Sequence, residues 1–182
     1  MSQTITIGGA SGFWGDAALA TPQLLASAQL DYIVYDYLAE ITMSIMARAR
    51  AADDSKGYAT DFISSVLAGN LKAISEQGVK VIANAGGVNP GACAEAARAL
   101  IAEQGLNLKV ATVLGDDLIG QGPALAASGV REMFSGEAFP DPARIASINA
   151  YLGAFPIARA LEMGADIVIT GRCVDSAVTL GA

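Results

Sequence analysis

Short β-branched apolar runs alternate along this chain with longer Ala- and Leu-rich stretches of helical period, which is the sequence form of βαβ units in a parallel sheet. The runs that read as strands are Thr4 to Ile7, Tyr32 to Tyr35, Lys80 to Ala83, Lys109 to Val113 and Asp166 to Thr170. Each is short and mostly apolar, as strands buried on both faces should be. The helices between them carry their own punctuation. Thr21 before Pro22 and Asn89 before Pro90 each read as an N-cap followed by proline at the first helical position. Thr60 opens a helix whose Phe62, Ile63, Val66, Leu67, Leu71 and Ile74 form one apolar stripe ending at Gly78. The Asn89 helix runs through Leu100 and Ile101 to a stop near Gly105, and Pro156 starts or kinks another that ends at Gly164. Leu118 to Ser147, punctuated by Gly and Pro, reads as a long irregular excursion, uncommon unless it serves or covers a site. Asp175 reads as the cap of a last helix of which only Ser176 to Ala182 remain, so the domain is expected to be incomplete at its C-terminal end. The expected fold is a single α/β domain over residues 1–182, a Rossmann-like open parallel sheet, with an incomplete β/α barrel as second choice.

Composition narrows the function. The chain is 53% hydrophobic and only 16% charged, against roughly 25% charged in average soluble chains, so apolar surface is available to bury against a partner or against missing chain. A homo-oligomer or a complex with a pathway subunit is expected. Eleven Lys and Arg against 18 Asp and Glu give a net charge of −7 with no basic run, the wrong sign for nucleic acid. The absence of histidine removes the imidazole base, the Ser-His and Cys-His nucleophile pairs and the commonest zinc ligand. Acid–base chemistry then falls to carboxylates, Lys, Tyr or Cys. Cys93 and Cys173 have no CxxC spacing and fit a reducing cytosol. Met1 to Thr6 shows neither a basic nor an apolar leader pattern, and no run reaches 18 apolar residues, so neither a signal peptide nor a membrane span is expected.

Ligands of open parallel sheets bind outside the carboxyl ends of the strands, so the residues just past each strand are the candidates. Strand one is followed by Gly8, Gly9, Ser11, Gly12 and Trp14, a loop that lets backbone amides approach an anion or forms a tight turn. Its spacing fits neither GxGxxG nor a P-loop. Trp14 either stacks on a ligand or closes the core. Asp36 and Glu40 share one face if Asp36 begins a helical turn, and such a pair supplies an acid and a base, or a solvated turn. Asn84 and Asn89 can hold a carbonyl oxygen or support turn and cap. Gly86 and Gly87 belong to the same loop, and the helix opening at Pro90 adds an anion-binding end. Cys93 in that first turn is either an activated thiol or a buried small residue. Asp116 and Asp117 offer oxygen ligands for Mg²⁺, or solvate a loop. Arg172 suits a carboxylate or the phosphates of coenzyme A, or pairs with Asp175, and Tyr151 offers a phenol as acid or donor, or simply packs.

Taken together, GGASGFWGD at 8–16, DYLAE at 36–40, NAGGVNP at 84–90, GDD at 115–117, NAYLGAFPI at 149–157 and GRCVDSA at 171–177 resemble the N-terminal domain of the acyclic terpene utilization (AtuA-type) family, almost end to end. The resemblance implies bacterial catabolism of branched acyclic compounds, in pathways that pass through CoA thioesters. It carries over no catalytic residues, so the roles rest on the loops. The expected activity is lyase or hydratase chemistry on a branched acyl-CoA or carboxylate. Asp36 or Glu40 would move the proton, Asn84 and Asn89 hold the thioester oxygen, the glycine loop take phosphate, and Arg172 pair with an anionic group. A non-catalytic acyl-CoA or nucleotide-binding subunit is the rival from another class. A nicotinamide-dependent oxidoreductase, resting on Asp36 alone, is third.

Overall fold

In the computed structural model, which describes residues 4–27 and 29–182, the strand runs assemble into one all-parallel sheet. Residues 1–3, part of the Met1–Thr6 segment read for a leader pattern, lie outside the described residues. The chain order is β1 (Ile7–Ser11), α1 (Ala17–Ser27), β2 (Tyr32–Tyr35), α2 (Glu40–Ala52), a π-helical turn Phe62–Leu67 leading into α3 (Ala68–Gln77), and β3 (Lys80–Ala83). There follow α4 (Pro90–Glu103), β4 (Val110–Val113), α5 (Gly122–Ala127), α6 (Phe155–Glu162), β5 (Ile167–Thr170) and α7 (Ala177–Leu180). In space the strands run β1-β2-β3-β5-β4, an open sheet with β1 and β4 at its edges; the barrel expectation gives way to the open one.

Side chains alternate across the strands and divide the core in two. Ile33, Tyr35, Val81, Ala83, Ile167 and Ile169 point to one face, where α1, α2, α3 and α4 pack on them. Val34, Ile82, Val168 and Val113 point to the other, where α6 and α7 lie. The connection leaving β3 therefore goes to one face through α4, and the connection leaving its neighbour β5 goes to the opposite face through α7. Diverging connections open a crevice at the carboxyl ends of β3 and β5, the place where doubly wound sheets bind ligands.

Two departures from the sequence reading matter for the site, beyond the one-residue later starts of β4 and β5. The first strand begins at Ile7 rather than Thr4, which puts Gly8 and Gly9 inside β1. The reason is packing: a Cβ on Gly8 would stand 3.1 Å from Leu30 and 3.2 Å from Leu24, so glycine lets α1 lie close on the strand. Helix α1 begins at Ala17, so Thr21 and Pro22 fall within it and do not cap it. Thr21 is buried, and its hydroxyl bonds the Ala17 carbonyl (3.1 Å) and the Tyr35 hydroxyl (3.0 Å). Thr60 falls inside the first turn of its helix rather than capping it, while three other signals behave as expected. Asn89 caps α4 by accepting from Ala92 N, Gly78 ends α3 in the left-handed conformation (φ 69°), and Pro156 lies in the first turn of α6. Among the described residues no helix is long and apolar enough to cross a membrane.

Candidate functional site

The crevice is walled by the segments just past β2, β3, β4 and β5. Asn84 is fully buried immediately after β3 and uses both ends of its amide. Its Oδ1 accepts from the backbone N–H of Tyr37 (2.6 Å), and its Nδ2 donates to Asp36 Oδ1 (2.6 Å). These bonds lock the residues leaving β2 onto β3 and fix the direction of the Asp36 carboxyl. Burial raises the pKa of Asp36 above the ordinary aspartate value, and the charge of Asp175 adds to this. The Asn84 bond and the Arg172 charge pull the other way without cancelling the rise.

Arg172 lies two residues past β5 and is 4% exposed, a cation held inside the wall. Its Nη1 donates to the Cys173 carbonyl (2.9 Å) and to Asp175 Oδ1 (3.0 Å), its Nη2 lies 3.6 Å from Glu40, and the Tyr151 ring covers it at 4.0 Å. Burial opposes its charge, but the bonds with Tyr151 and Asp175 more than restore it. The Tyr151 hydroxyl donates to Glu40, and this bond holds the Glu40 carboxyl below its usual range. Glu40 and Asp175 are both largely exposed and are the removable counter-ions of a buried, permanent cation.

Asp116 organises the far wall. It is 3% exposed, and its Oδ2 accepts from the backbone N–H of Arg172 (2.8 Å) and from Asn149 Nδ2 (2.9 Å). A Cβ on Gly171 would collide with this carboxylate, which explains glycine there. The segment Ile148 to Leu152 is threaded between the β4 and β5 loops by Leu118 N to Ile148 O (2.7 Å), Ala150 N to Asp116 O (2.7 Å) and Val174 N to Leu152 O (2.9 Å). The clasp thereby delivers Tyr151 onto Arg172.

Several expected site residues have other work. Asp117 turns away from Asp116, accepting from Ile119 N (2.9 Å) and standing 3.9 Å from Arg50, so the two do not form a joint Mg²⁺ ligand set. Among the described residues no group of three or more His, Cys, Asp or Glu is placed to hold a metal. Asn89 uses its side chain on its cap and on the Asp54 (2.9 Å) and Lys56 (2.8 Å) carbonyls, and with Gly87, Asp116 and Asp117 it lines a cavity of about 300 Å³ past β3 and β4. Gly86 and Gly87 are packed rather than open: a Cβ on Gly86 would sit 2.5 Å from the Thr170 carbonyl, and Gly87 takes φ 55° against Met46. The glycine-rich first loop follows the edge strand β1 and meets the crevice through Ser11, whose Oγ donates to the Asp36 carbonyl (3.3 Å) and whose carbonyl accepts from the Asp36 N–H (3.2 Å). Asp16 already fills the loop by accepting from Gly12 N (2.9 Å), Ser11 Oγ bonds the Phe13 carbonyl (3.1 Å), and the Trp14 indole donates to Asp61 (2.6 Å). Asp36 and Glu40 share no helical face, since α2 starts at Glu40 and Asp36 stays in extended chain; they meet instead around Arg172. Asp175 pairs with Arg172 and Ser176 stands at the cap of α7. Cys93 and Cys173 are both fully buried, and burial raises both thiol pKa values, so neither is an activated nucleophile.

A sequence profile described as Acyclic terpene utilisation family protein AtuA matches residues 5–182. The chain belongs to this family. No curated protein and no solved structure gives a significant match. The segments that carry the family resemblance supply the crevice: DYLAE brings Asp36 and Glu40, NAGGVNP brings Asn84, GDD brings Asp116, NAYLG brings Asn149 and Tyr151, and GRCVD brings Arg172 and Asp175. Sequence reasoning missed Asn149 as the partner of Asp116. Its only signal was the polar residue beside Tyr151, because pairing between loops leaves no periodic trace.

Proposed function

We propose that this member of the acyclic terpene utilisation family is an enzyme that moves a proton on a branched acyclic carboxylate or its CoA thioester, with lyase or hydratase chemistry. The observation that carries the reading is the Asp36 carboxyl. It is aimed by a fully buried amide that stands at the topological switch point past β3, raised in pKa, and set in the field of a buried arginine. In the hydration direction, water adds across the double bond of an α,β-unsaturated acyl group. The Asp36 carboxylate takes a proton from the water as its oxygen bonds to the β-carbon, and the protonated carboxyl returns a proton to the α-carbon. Elimination is the reverse. Arg172 supports an anionic group of the substrate by exchanging Glu40 or Asp175 for it, and Tyr151 orients the guanidinium. Asn89 and the glycine loop have no part in this reading, and neither Mg²⁺ nor a nicotinamide is required by it.

The test is a thermal-shift panel with geranic acid, its CoA thioester, free CoA, NAD, NADP and Mg²⁺. A ligand at about 100 times its Kd adds roughly 2.7 kcal/mol. The carboxylate or the thioester should raise the melting temperature in wild type and fail to do so in Arg172→Met. A shift with nicotinamides and none with either acyl compound would overturn the reading. Binding of the thioester with no turnover, unchanged in Asp36→Asn, would favour a binding subunit instead.

A further inference from the structure

Away from the crevice, exposed apolar side chains gather on two surfaces that complement each other. The first is a short arm, residues 129–139, in the excursion between β4 and α6. It is stapled by Phe139 N to Val130 O (3.2 Å), Glu132 N to Glu137 O (2.9 Å), Gly136 N to Glu132 O (2.9 Å) and Arg131 Nη1 to Gly136 O (2.8 Å). The Glu132 carboxylate accepts from the Phe134 and Ser135 amides, and Gly136 closes the turn at φ 70°. Met133 and Phe134 are thus held out at the tip, 83% and 88% exposed, on a backbone whose polar groups already bond one another. A knob ordered in advance loses little conformational freedom on binding.

The second surface is a groove of about 470 Å³ beside β4, an edge strand, and α6. Ala111, Val113, Leu114, Ala160 and Met163 give it an apolar floor, and Lys109 gives it positive charge beside Arg159, whose guanidinium pairs with Glu162 at 3.1 Å. The tip carries the opposite charge, since Met133 and Phe134 lie between Glu132 and Glu137. Phe134 is too exposed to be filling the groove of its own chain.

We propose that this groove receives the Met133–Phe134 tip of a second copy of the chain. Charge complementarity selects the occupant: two copies, each at −7, repel overall, and the acidic knob on a basic groove is a local arrangement that reverses this. Each chain has both halves, so reciprocal exchange closes a two-fold dimer. Occupation also shields the outer edge of β4, which would otherwise pair with other strands.

The experiment is sedimentation over a range of protein concentrations, combined with cysteine cross-linking. Wild type should self-associate, and Phe134→Ser should weaken the association by roughly tenfold or more. Lys109→Glu should weaken it too, and Glu137→Lys on the same chain should restore it. Because both native cysteines are buried, Phe134→Cys combined with Met163→Cys should give an inter-chain disulfide under mild oxidation. A wild type that stays monomeric at every concentration would overturn the proposal, as would an oligomer indifferent to Phe134→Ser and to the charge reversal.

Discussion

Asp36 and Asn84 form the smallest unit of the site, and their bond makes opposite demands on stability and chemistry. A carboxyl whose pKa is raised by folding holds its proton more tightly in the native state than in the unfolded chain. Stability is therefore lost as pH rises from the unfolded value of 3.8 through the higher folded value, and it stays lost at neutral pH. Asp36→Asn removes this burden. Its melting temperature at pH 7 should equal or exceed that of wild type, and the difference should shrink as pH falls below the ordinary aspartate range. Turnover should disappear in the same protein. Asn84→Ala is expected to do the reverse to the fold, because it strands the Tyr37 amide and frees Asp36; chemical denaturation should show a loss of about 1–3 kcal/mol.

At the scale of elements, the strand-end loops are held to one another more than to solvent. The Asp116 clasp joins the β4 loop, the β5 loop and the segment carrying Tyr151 through one buried oxygen. Asp116→Ala leaves a buried backbone donor and an amide without their acceptor, and should cost about 2–3 kcal/mol in denaturant unfolding. Gly171→Ala should act in the same direction by pushing that carboxylate out of place. The elements themselves are largely legible in the sequence, because β-branched runs and proline-led caps are local signals. β2 and β3 fall where the apolar runs place them, and β4 and β5 start one residue later. β1 departs from its expected span because Gly8 and Gly9 mimic a loop; the closeness of α1 explains Gly8, while a Cβ on Gly9 would meet nothing. α1 departs because Thr21-Pro22 copies a cap whose partner is in fact the Tyr35 hydroxyl across the sheet interface. Of the candidate site, Asp36, Glu40, Asn84, Arg172 and Asp175 are legible as polar residues just past the carboxyl end of a strand. Strand order is not legible in that way, and strand order puts the first glycine loop at the sheet edge, where it meets the crevice through the Ser11–Asp36 bonds.

For the whole molecule, two helical layers leave a sheet whose divergent connections open one crevice, between β3 and β5. We propose that proton transfer on a branched acyl substrate takes place there. Deuterium wash-in tests it most directly, since it reads the proton step whichever way the net reaction runs. The CoA thioester of geranic acid would be incubated in D₂O with wild type, Asp36→Asn and the remote variant Asp117→Asn, and the acyl chain analysed by mass spectrometry. Deuterium should be gained at carbon with wild type and Asp117→Asn, and not above the uncatalysed background with Asp36→Asn. Equal incorporation by wild type and Asp36→Asn, or none by wild type, would contradict the proposal.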